Sequence, residues 1–343
     1  MLNMLPTDEQ TQIIDSVRGF LRSELPLEQL RNRVAPEVSD SQWRAVAELG
    51  IFGMGLAESA GGIDFGATEE ILVMRECGRV VATPSFMATI LAAHLAHACS
   101  QTSWCRALIS GERRASLVIA GPDSHAALLV DGRDNNLLVA IDSSSIALFE
   151  SGFEPLRATN SLDESITLQS GRLDRRASAC KLPYSSPLWL RASLLLAAQL
   201  VGLAEGARDL TVDYAKTRQQ FGKPIGAFQA VKHRCADMAM LAEVAWAQTV
   251  VAAHALDAGA TDAPLQVSCA KLMATTAAHR NGDHAIQVHG GIGYQAECDA
   301  HHFMKRSHVY DQAGGNRRHQ AHSILEASRK PQENIACMRS MAR

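Results

Sequence analysis

An arginine that closes one helix ahead of a tight turn, and a glycine pair that stops another, constrain this chain more than any other feature. Residues 214–229 read Tyr-Ala-Lys-Thr-Arg-Gln-Gln-Phe-Gly-Lys-Pro-Ile-Gly-Ala-Phe-Gln. An amphipathic helix ends at Arg218, the chain turns through Gly222, Lys223 and Pro224, and a second helix starts at Phe228. Residues 287–294 read Gln-Val-His-Gly-Gly-Ile-Gly-Tyr, which puts Gln287 and His289 at the end of a further helix stopped by Gly290 and Gly291. Glycine supplies the positive φ that such an end usually needs. A guanidinium beside a Gly-Pro turn can hold a pyrophosphate through paired charge-assisted hydrogen bonds. A glycine pair without Cβ atoms lets the backbone come close to a bulky ligand, with N–H groups free for phosphate oxygens. His289 reads equally as a satisfied interior histidine or as part of the ligand contact.

The rest of the chain divides by pattern into three. Residues 1–114 read as helices. Thr7 and Gln10 make a capping box, and Ile13, Ile14, Val17, Phe20 and Leu21 recur at helical spacing. Trp43, Val46, Leu49 and Ile51 lead into Gly-Met-Gly-Leu-Ala-Glu-Ser-Ala-Gly-Gly (53–62), read as a tight loop between helices. Residues 115–183 change character: β-type runs at Ser116–Ala120, Ala127–Val130, Leu137–Ile141, Ile146–Phe149 and Ile166–Leu168 alternate with turn signals. They predict a small antiparallel unit. From residue 184 to 330 helices return, and 331–343 read as a tail. Leu200, Leu203, Ala207, Leu210 and Tyr214 share one helix face, with Glu205, Arg208, Asp209, Asp213 and Lys216 on the polar one. Val231, Cys235, Met238, Leu241 and Ala245 repeat the pattern, and a third helix is expected to open with Asp262 as cap and Pro264 in its first turn. The fold class is α+β, mainly α, with a C-terminal helical bundle.

Of the 343 residues, 33 are Lys or Arg and 36 are Asp or Glu, a balance that argues against a nucleic-acid partner. No secretory signal stands at the first residues, and no uncharged apolar stretch reaches the roughly 18 residues of a membrane span. The richest candidate, Leu188–Leu203, is interrupted by Arg191 and Gln199. The expectation is a soluble cytoplasmic protein with no membrane partner. Eight scattered cysteines without Cys-x-x-Cys spacing predict reduced thiols and no metal site.

The two motifs, in this order and at this separation, resemble the flavin-binding signatures of the acyl-CoA dehydrogenase family. That resemblance implies an N-terminal helical domain, a middle β-domain and a C-terminal four-helix bundle. It implies FAD as cofactor, an acyl-CoA substrate and an electron-transfer flavoprotein as acceptor. Arg218, Gln220 and Phe221 would meet the FAD, with Gln229 downstream in the same motif. Gln287, Gly290 and Gly291 would bind its phosphate and adenosine portion from a neighbouring subunit, which requires an oligomer.

Dehydrogenation of an acyl thioester needs a carboxylate to take the α-proton while flavin N5 receives hydride from the β-carbon. Members of the family usually carry a glutamate in a Tyr-Glu-Gly-Thr segment, where this chain reads His-Val-Tyr-Asp-Gln-Ala-Gly-Gly-Asn (308–316). Asp311 is the candidate base there, one methylene shorter; a misplacement near 1 Å can cost on the order of a hundredfold in rate. The family's alternative position for the base is Ala192 by ungapped count from Arg218. The family's Thr-Glu-Pro-x-x-Gly-Ser-Asp stretch survives only in fragments at 116–125, Ser-Leu-Val-Ile-Ala-Gly-Pro-Asp-Ser-His. Together these departures resemble the small subunits of heteromeric bacterial acyl-CoA dehydrogenases. There a related second chain completes an α2β2 tetramer and supplies the base and flavin-covering loop, for bulky CoA thioesters including steroid fragments. Two other readings stay open: a self-sufficient homo-oligomer using Asp311, and a non-catalytic flavin-binding or structural subunit.

Overall fold

The computed structural model describes residues 4–31, 38–121, 124–133 and 136–329. The first helix starts where its capping box closes: Gln10 N donates to the Thr7 hydroxyl at 3.2 Å, and Thr7 N donates to Gln10 Oε1 at 3.0 Å. Helix α1 (Asp8–Glu24) then buries Ile14, Val17 and Leu21. After it come α2 (Asp40–Glu48), α3 (Ala67–Arg79), α4 (Pro84–Ala98) and α5 (Thr102–Ile109). The glycine-rich run between α2 and α3 is a tight loop, because a side chain at Gly62 would run into the carbonyl oxygens of Gly53 and Leu56. Helix α4 is buried all round, from Pro84 to Ala96.

Seven strands follow: β1 (Ala115–Ala120), β2 (Ala126–Val130), β3 (Leu137–Ile141), β4 (Ser145–Phe149), β5 (Phe153–Thr159), β6 (Leu168–Leu173) and β7 (Ser178–Pro183). They form one sheet in the order β5-β6-β2-β1-β3-β4-β7. The sheet is mixed, which corrects the expectation of an antiparallel unit. β1 lies between β2 and β3, and β3 returns parallel to it with Leu117 opposite Val139. Strands β5 and β7 gave no sequence signal because they are the polar edges, where one partner suffices and alternation is not required. Period-two alternation sends Leu117, Val139, Ile141 and Leu148 into the main core, while Val118, Leu138, Ala140 and Phe149 form a smaller cluster on the other face.

Helices α6 (Pro187–Thr217), α7 (Gln229–Asp257) and α8 (Ala263–His289) are the long members of the C-terminal bundle, completed by α9 (Ala300–Gln312) and α10 (Arg317–Arg329). Ser186 caps α6, its hydroxyl accepting from Trp189 N. Asp262 precedes α8 as expected but does not cap its backbone; its carboxylate accepts from the Gln266 side chain at 2.9 Å. Glu205 also departs from its assignment to the polar face. Helix α3 packs there and buries it to 1% exposure, between Arg75 at 2.8 Å and Arg79 at 2.9 Å. The two helices touch backbone to backbone: a Cβ at Gly202 would strike Arg75 O, and one at Gly78 would strike Gln199 O.

Arg306, on α9, joins three parts of the chain. Its guanidinium donates to Asp163 Oδ2 at 2.5 Å in the loop between β5 and β6, to Ser165 Oγ at 2.8 Å, and to Ala82 O at 2.6 Å between α3 and α4. Another link is covalent. Cys99 at the end of α4 is bonded to Cys180 on β7, their Cα atoms 5.9 Å apart, which corrects the expectation of thiols throughout. Eighty-one residues separate the pair, so only the packing of sheet on helices brings them together. Cys77, Cys105, Cys235, Cys269 and Cys298 are free thiols, and Cys337 lies outside the described residues.

By length and composition two helices among the described residues could cross a membrane, Pro187–Thr217 and Gln229–Asp257; the apolar windows are 83% and 33% buried in the structure. The first is the central helix of the bundle. Arg191, the charge that interrupts its apolar run, is ion-paired with the buried Glu70.

Candidate functional site

Helix α6 ends at Arg218, whose N–H still donates to Tyr214 O at 2.9 Å before the backbone turns extended. The chain then makes a two-residue hairpin, β8 (Gln219–Gln220) pairing with β9 (Lys223–Pro224). Phe221 and Gly222 form its turn at φ +52° and +76°, both left-handed as the tightest hairpins require. Glycine meets that demand freely, whereas phenylalanine in this region is uncommon and costs of order 1–3 kcal/mol. Phe221 is also 91% exposed, its ring meeting Phe228 edge-on at 6.1 Å. Gln229, exposed, is the first residue of α7.

Helix α8 stops where the glycine pair predicted. Gly290 takes φ +63° while Gly291 has no positive φ, so the conformational demand falls on the first glycine alone. A Cβ at either would meet nothing within 4 Å, which leaves both backbone units open to an approaching ligand. Gln287 is exposed on the last turn.

Both motifs reach one open depression of ≈ 530 Å³ on a single chain. Arg218 and Gln220 come to it from the first motif, His289 and Gly291 from the second, and Tyr214 from the last turn of α6. Phe221, Gln229, Gln287 and Gly290 stand outside its lining. The Tyr214 and His289 rings stack at 4.2 Å and 21°, tying the end of α6 to the end of α8. The Arg218 guanidinium is exposed, with no carboxylate or carbonyl partner among the described residues. An unpaired guanidinium facing open glycine backbone fits a pyrophosphate, and the exposed Phe221 offers an apolar face beside it. These residues fit the dinucleotide that the resemblance implies.

Asp311 lies elsewhere. It sits one residue before the end of α9, and its Oδ1 accepts from Arg317 N at 2.8 Å, closing the turn into α10. The loop that follows is held by its carbonyls. Lys271, on α8 and fully buried, donates to Ala313 O at 2.7 Å and reaches Gly315 O at 3.4 Å. Gln320 donates to Gly314 O at 3.1 Å and Gly315 O at 3.2 Å. Burial pushes the Lys271 ammonium down to about 8, with the Asp311 charge opposing. Gly314 rests against α6, where its Cβ would lie 3.5 Å from the Ser193 hydroxyl. Ala192, next to it, is fully buried. Neither position considered for a base carries a glutamate. Of the 116–125 stretch, residues 122 and 123 lie outside the described residues.

Lys271 and Arg306 were missed from sequence. Lys271 left a faint signal, a lone charge on the row Val267, Lys271, Ala274, Ala278 that otherwise reads as a buried helix face. Among the described residues no group of three or more His, Cys, Asp or Glu side chains could hold a metal ion.

The model of the acyl-CoA dehydrogenase N-terminal domain matches residues 7–112, and that of the C-terminal domain matches 191–328. Acyl-CoA dehydrogenase FadE34 of Mycobacterium tuberculosis is 35% identical over 88% of this chain, which spans only 45% of that protein's length. Acyl-CoA dehydrogenase IpdE2 of the same organism is 30% identical over 89% of this chain and 92% of its own. Among solved structures, the ChsE4-ChsE5 complex from Mycobacterium tuberculosis matches with a TM-score of 0.78 at 22% identity, over 96% of this chain and 100% of that one. A variant of the Tcur3481-Tcur3483 steroid ACAD matches with a TM-score of 0.76 at 23% identity, over 93% and 97%. The fold, the paired motifs and a relative matched over nearly its whole length place this chain in the acyl-CoA dehydrogenase family of FAD-dependent oxidoreductases.

Proposed function

We propose that this chain is the small, flavin-holding subunit of a heteromeric acyl-CoA dehydrogenase, and that a related second chain supplies the base for α,β-dehydrogenation of a bulky CoA thioester. The observation that carries this reading is the division within the chain itself. The Arg218 depression is open and unpaired, whereas Asp311 is occupied in closing the α9–α10 turn and Ala192 has no side chain to act with. Residues 1–114, 115–183 and 184–330 are its domains in this reading. A likeness to the ChsE4-ChsE5 complex and to a steroid ACAD built of two chains supports a heteromer and a steroid-derived substrate. An electron-transfer flavoprotein as acceptor and a cytoplasmic location complete the reading.

When bound, FAD supplies the acceptor for the hydride that leaves the β-carbon. This chain's own residues hold it. Arg218 would clamp the pyrophosphate, Gly290 and Gly291 would let the backbone come close, and Gln220, Gln229 and Gln287 would donate at its polar edges. Phe221 packs its exposed ring on the cofactor.

Arg218→Ala removes the charge-assisted clamp and leaves the fold intact, since its side chain has no partner among the described residues. The expected result is a 10- to 100-fold weaker hold on FAD, from roughly 1.5–3 kcal/mol for a hydrogen bond to a charged group. Flavin content after gel filtration checks it, and unchanged content refutes the clamp.

Partner dependence is tested by assaying acyl-CoA and steroid-CoA thioesters with the chain alone, with a co-expressed second dehydrogenase-like chain, and with both carrying Asp311→Asn. Turnover is expected only with the partner, and within about threefold of wild type in the variant, against the 10²–10⁴-fold loss that removing a general base produces. Turnover by the chain alone that collapses in Asp311→Asn would establish the homo-oligomeric enzyme instead. A flavin-free chain that adds nothing to its partner would establish a structural subunit.

A further inference from the structure

We infer that His289 is a ligand-binding residue: its Nε2 is a fixed hydrogen-bond acceptor aimed at a donor on the adenosine half of the dinucleotide, an adenine amine or a ribose hydroxyl. This rests on the reading of the Arg218 depression as the FAD site and goes beyond it, since a phosphate clamp needs donors whereas this group can only accept.

The tautomer follows from the geometry. His289 Nδ1 lies 2.7 Å from Ala285 O, and a carbonyl oxygen only accepts, so Nδ1 carries the proton. In the neutral ring the lone pair is then on Nε2. Burial, against the Ala285 hydrogen bond and the Asp299 charge, pushes the imidazole below its ordinary pKa, so the ring is neutral at physiological pH. Nε2 has no partner among the described residues, and it is not sealed in the interior as both ring nitrogens of His302 are. The ring cannot swing to satisfy itself elsewhere, because Tyr214 stacks flat on it and the Nδ1 bond pins its edge. At 7% exposure it lines the depression between Arg218 and Gly291. A surface histidine free to rotate would supply none of this directionality. A held acceptor discriminates by leaving any ligand without the matching donor one hydrogen bond short.

The experiment compares wild type, His289→Phe and His289→Gln as full-length protein stripped of flavin, titrated with FAD and, as a probe lacking the flavin, with ADP. His289→Phe keeps the stack on Tyr214 and loses the acceptor. The expected result is roughly tenfold weaker binding of both ligands with the apoprotein melting temperature unchanged. His289→Gln restores an acceptor and is expected within about threefold of wild type. Wild-type affinity in His289→Phe, or a loss for FAD with none for ADP, overturns the inference. Should His289→Phe fold poorly, His289→Leu against His289→Gln makes the same comparison without an aromatic ring. Arg218→Ala titrated alongside separates the two levels of the argument. If it too binds FAD like wild type, the depression is not the FAD site. If it alone loses FAD, the site stands and His289 is no part of its recognition.

Discussion

Arg306→Met is expected to destabilise the protein by about 3–5 kcal/mol, the cost of removing one partner from a buried ion pair. Arg306 is 1% exposed and Asp163 is fully buried, so the variant leaves a buried carboxylate without its guanidinium. It also removes the donor to Ala82 O and one of the partners of the Ser165 hydroxyl, and with them the contact of α9 with the loop between β5 and β6 and with the α3–α4 turn. The melting temperature should fall on the order of 10 °C. Adding Asp163→Leu should recover part of the loss, because the penalty belongs to the unpaired charge rather than to the missing attraction. The pH dependence carries its own sign. Burial works against ionised Asp163, but Arg306 and the Ser165 hydrogen bonds outweigh it and hold the carboxyl below its ordinary value. Its contribution is therefore present above about pH 4, the unfolded value, and is lost as pH falls through the folded one. The gap between wild type and Arg306→Met should narrow on the acid side. Urea unfolding at neutral pH and near pH 3 measures both effects. A variant melting within about 2 °C of wild type at neutral pH would show that the pair does not hold these segments together.

Lys271 is expected to make the protein more stable as pH rises from 8 to 10.5, opposite to the usual decline. Its folded value of about 8 lies below the ordinary 10.5, so between the two the unfolded chain binds the extra proton and stability climbs with pH. The span corresponds to about 3 kcal/mol, all of it a cost below pH 8, where an ammonium with no carboxylate in hydrogen-bond reach among the described residues is buried against two carbonyls. Lys271→Met removes this titration. Other groups titrate in both proteins and cancel in the difference, so the unfolding free energy of wild type should gain on the variant by about 3 kcal/mol across the window. Parallel curves from pH 7 to 10.5 would place the Lys271 proton elsewhere. The loop tethered by this lysine begins two residues after Asp311, so the same titration reports on the order of the segment considered for the base.

Some of this architecture could be read directly from the chain. The Thr7 and Gln10 capping box, the stop at Gly290 and the Arg218 turn all depend on residues within six positions of each other, and each stands where expected. The strands that alternate or run apolar were legible too, to within a residue for β1, β2, β3 and β4. Strand β6 was not: its sequence Leu-Gln-Ser-Gly-Arg-Leu has little apolar content, and the signal fell instead on Ile166 just before it. The Arg218 depression was half legible. Two motifs were visible, and their order was suggestive; that residues of both open onto one surface of the chain was not.

The pairings were not legible at all. Arg306 finds Asp163 across 143 positions, Cys99 finds Cys180 across 81, and Lys271 finds Ala313 across 42. Glu205 looked like a solvated residue until α3 covered its side of α6. A helix cap or a turn is decided by steric and hydrogen-bond preferences that a residue carries wherever it stands. The partner of a buried charge is decided by which surfaces the packing of helices on a sheet excludes from water, and that is a property of the whole fold.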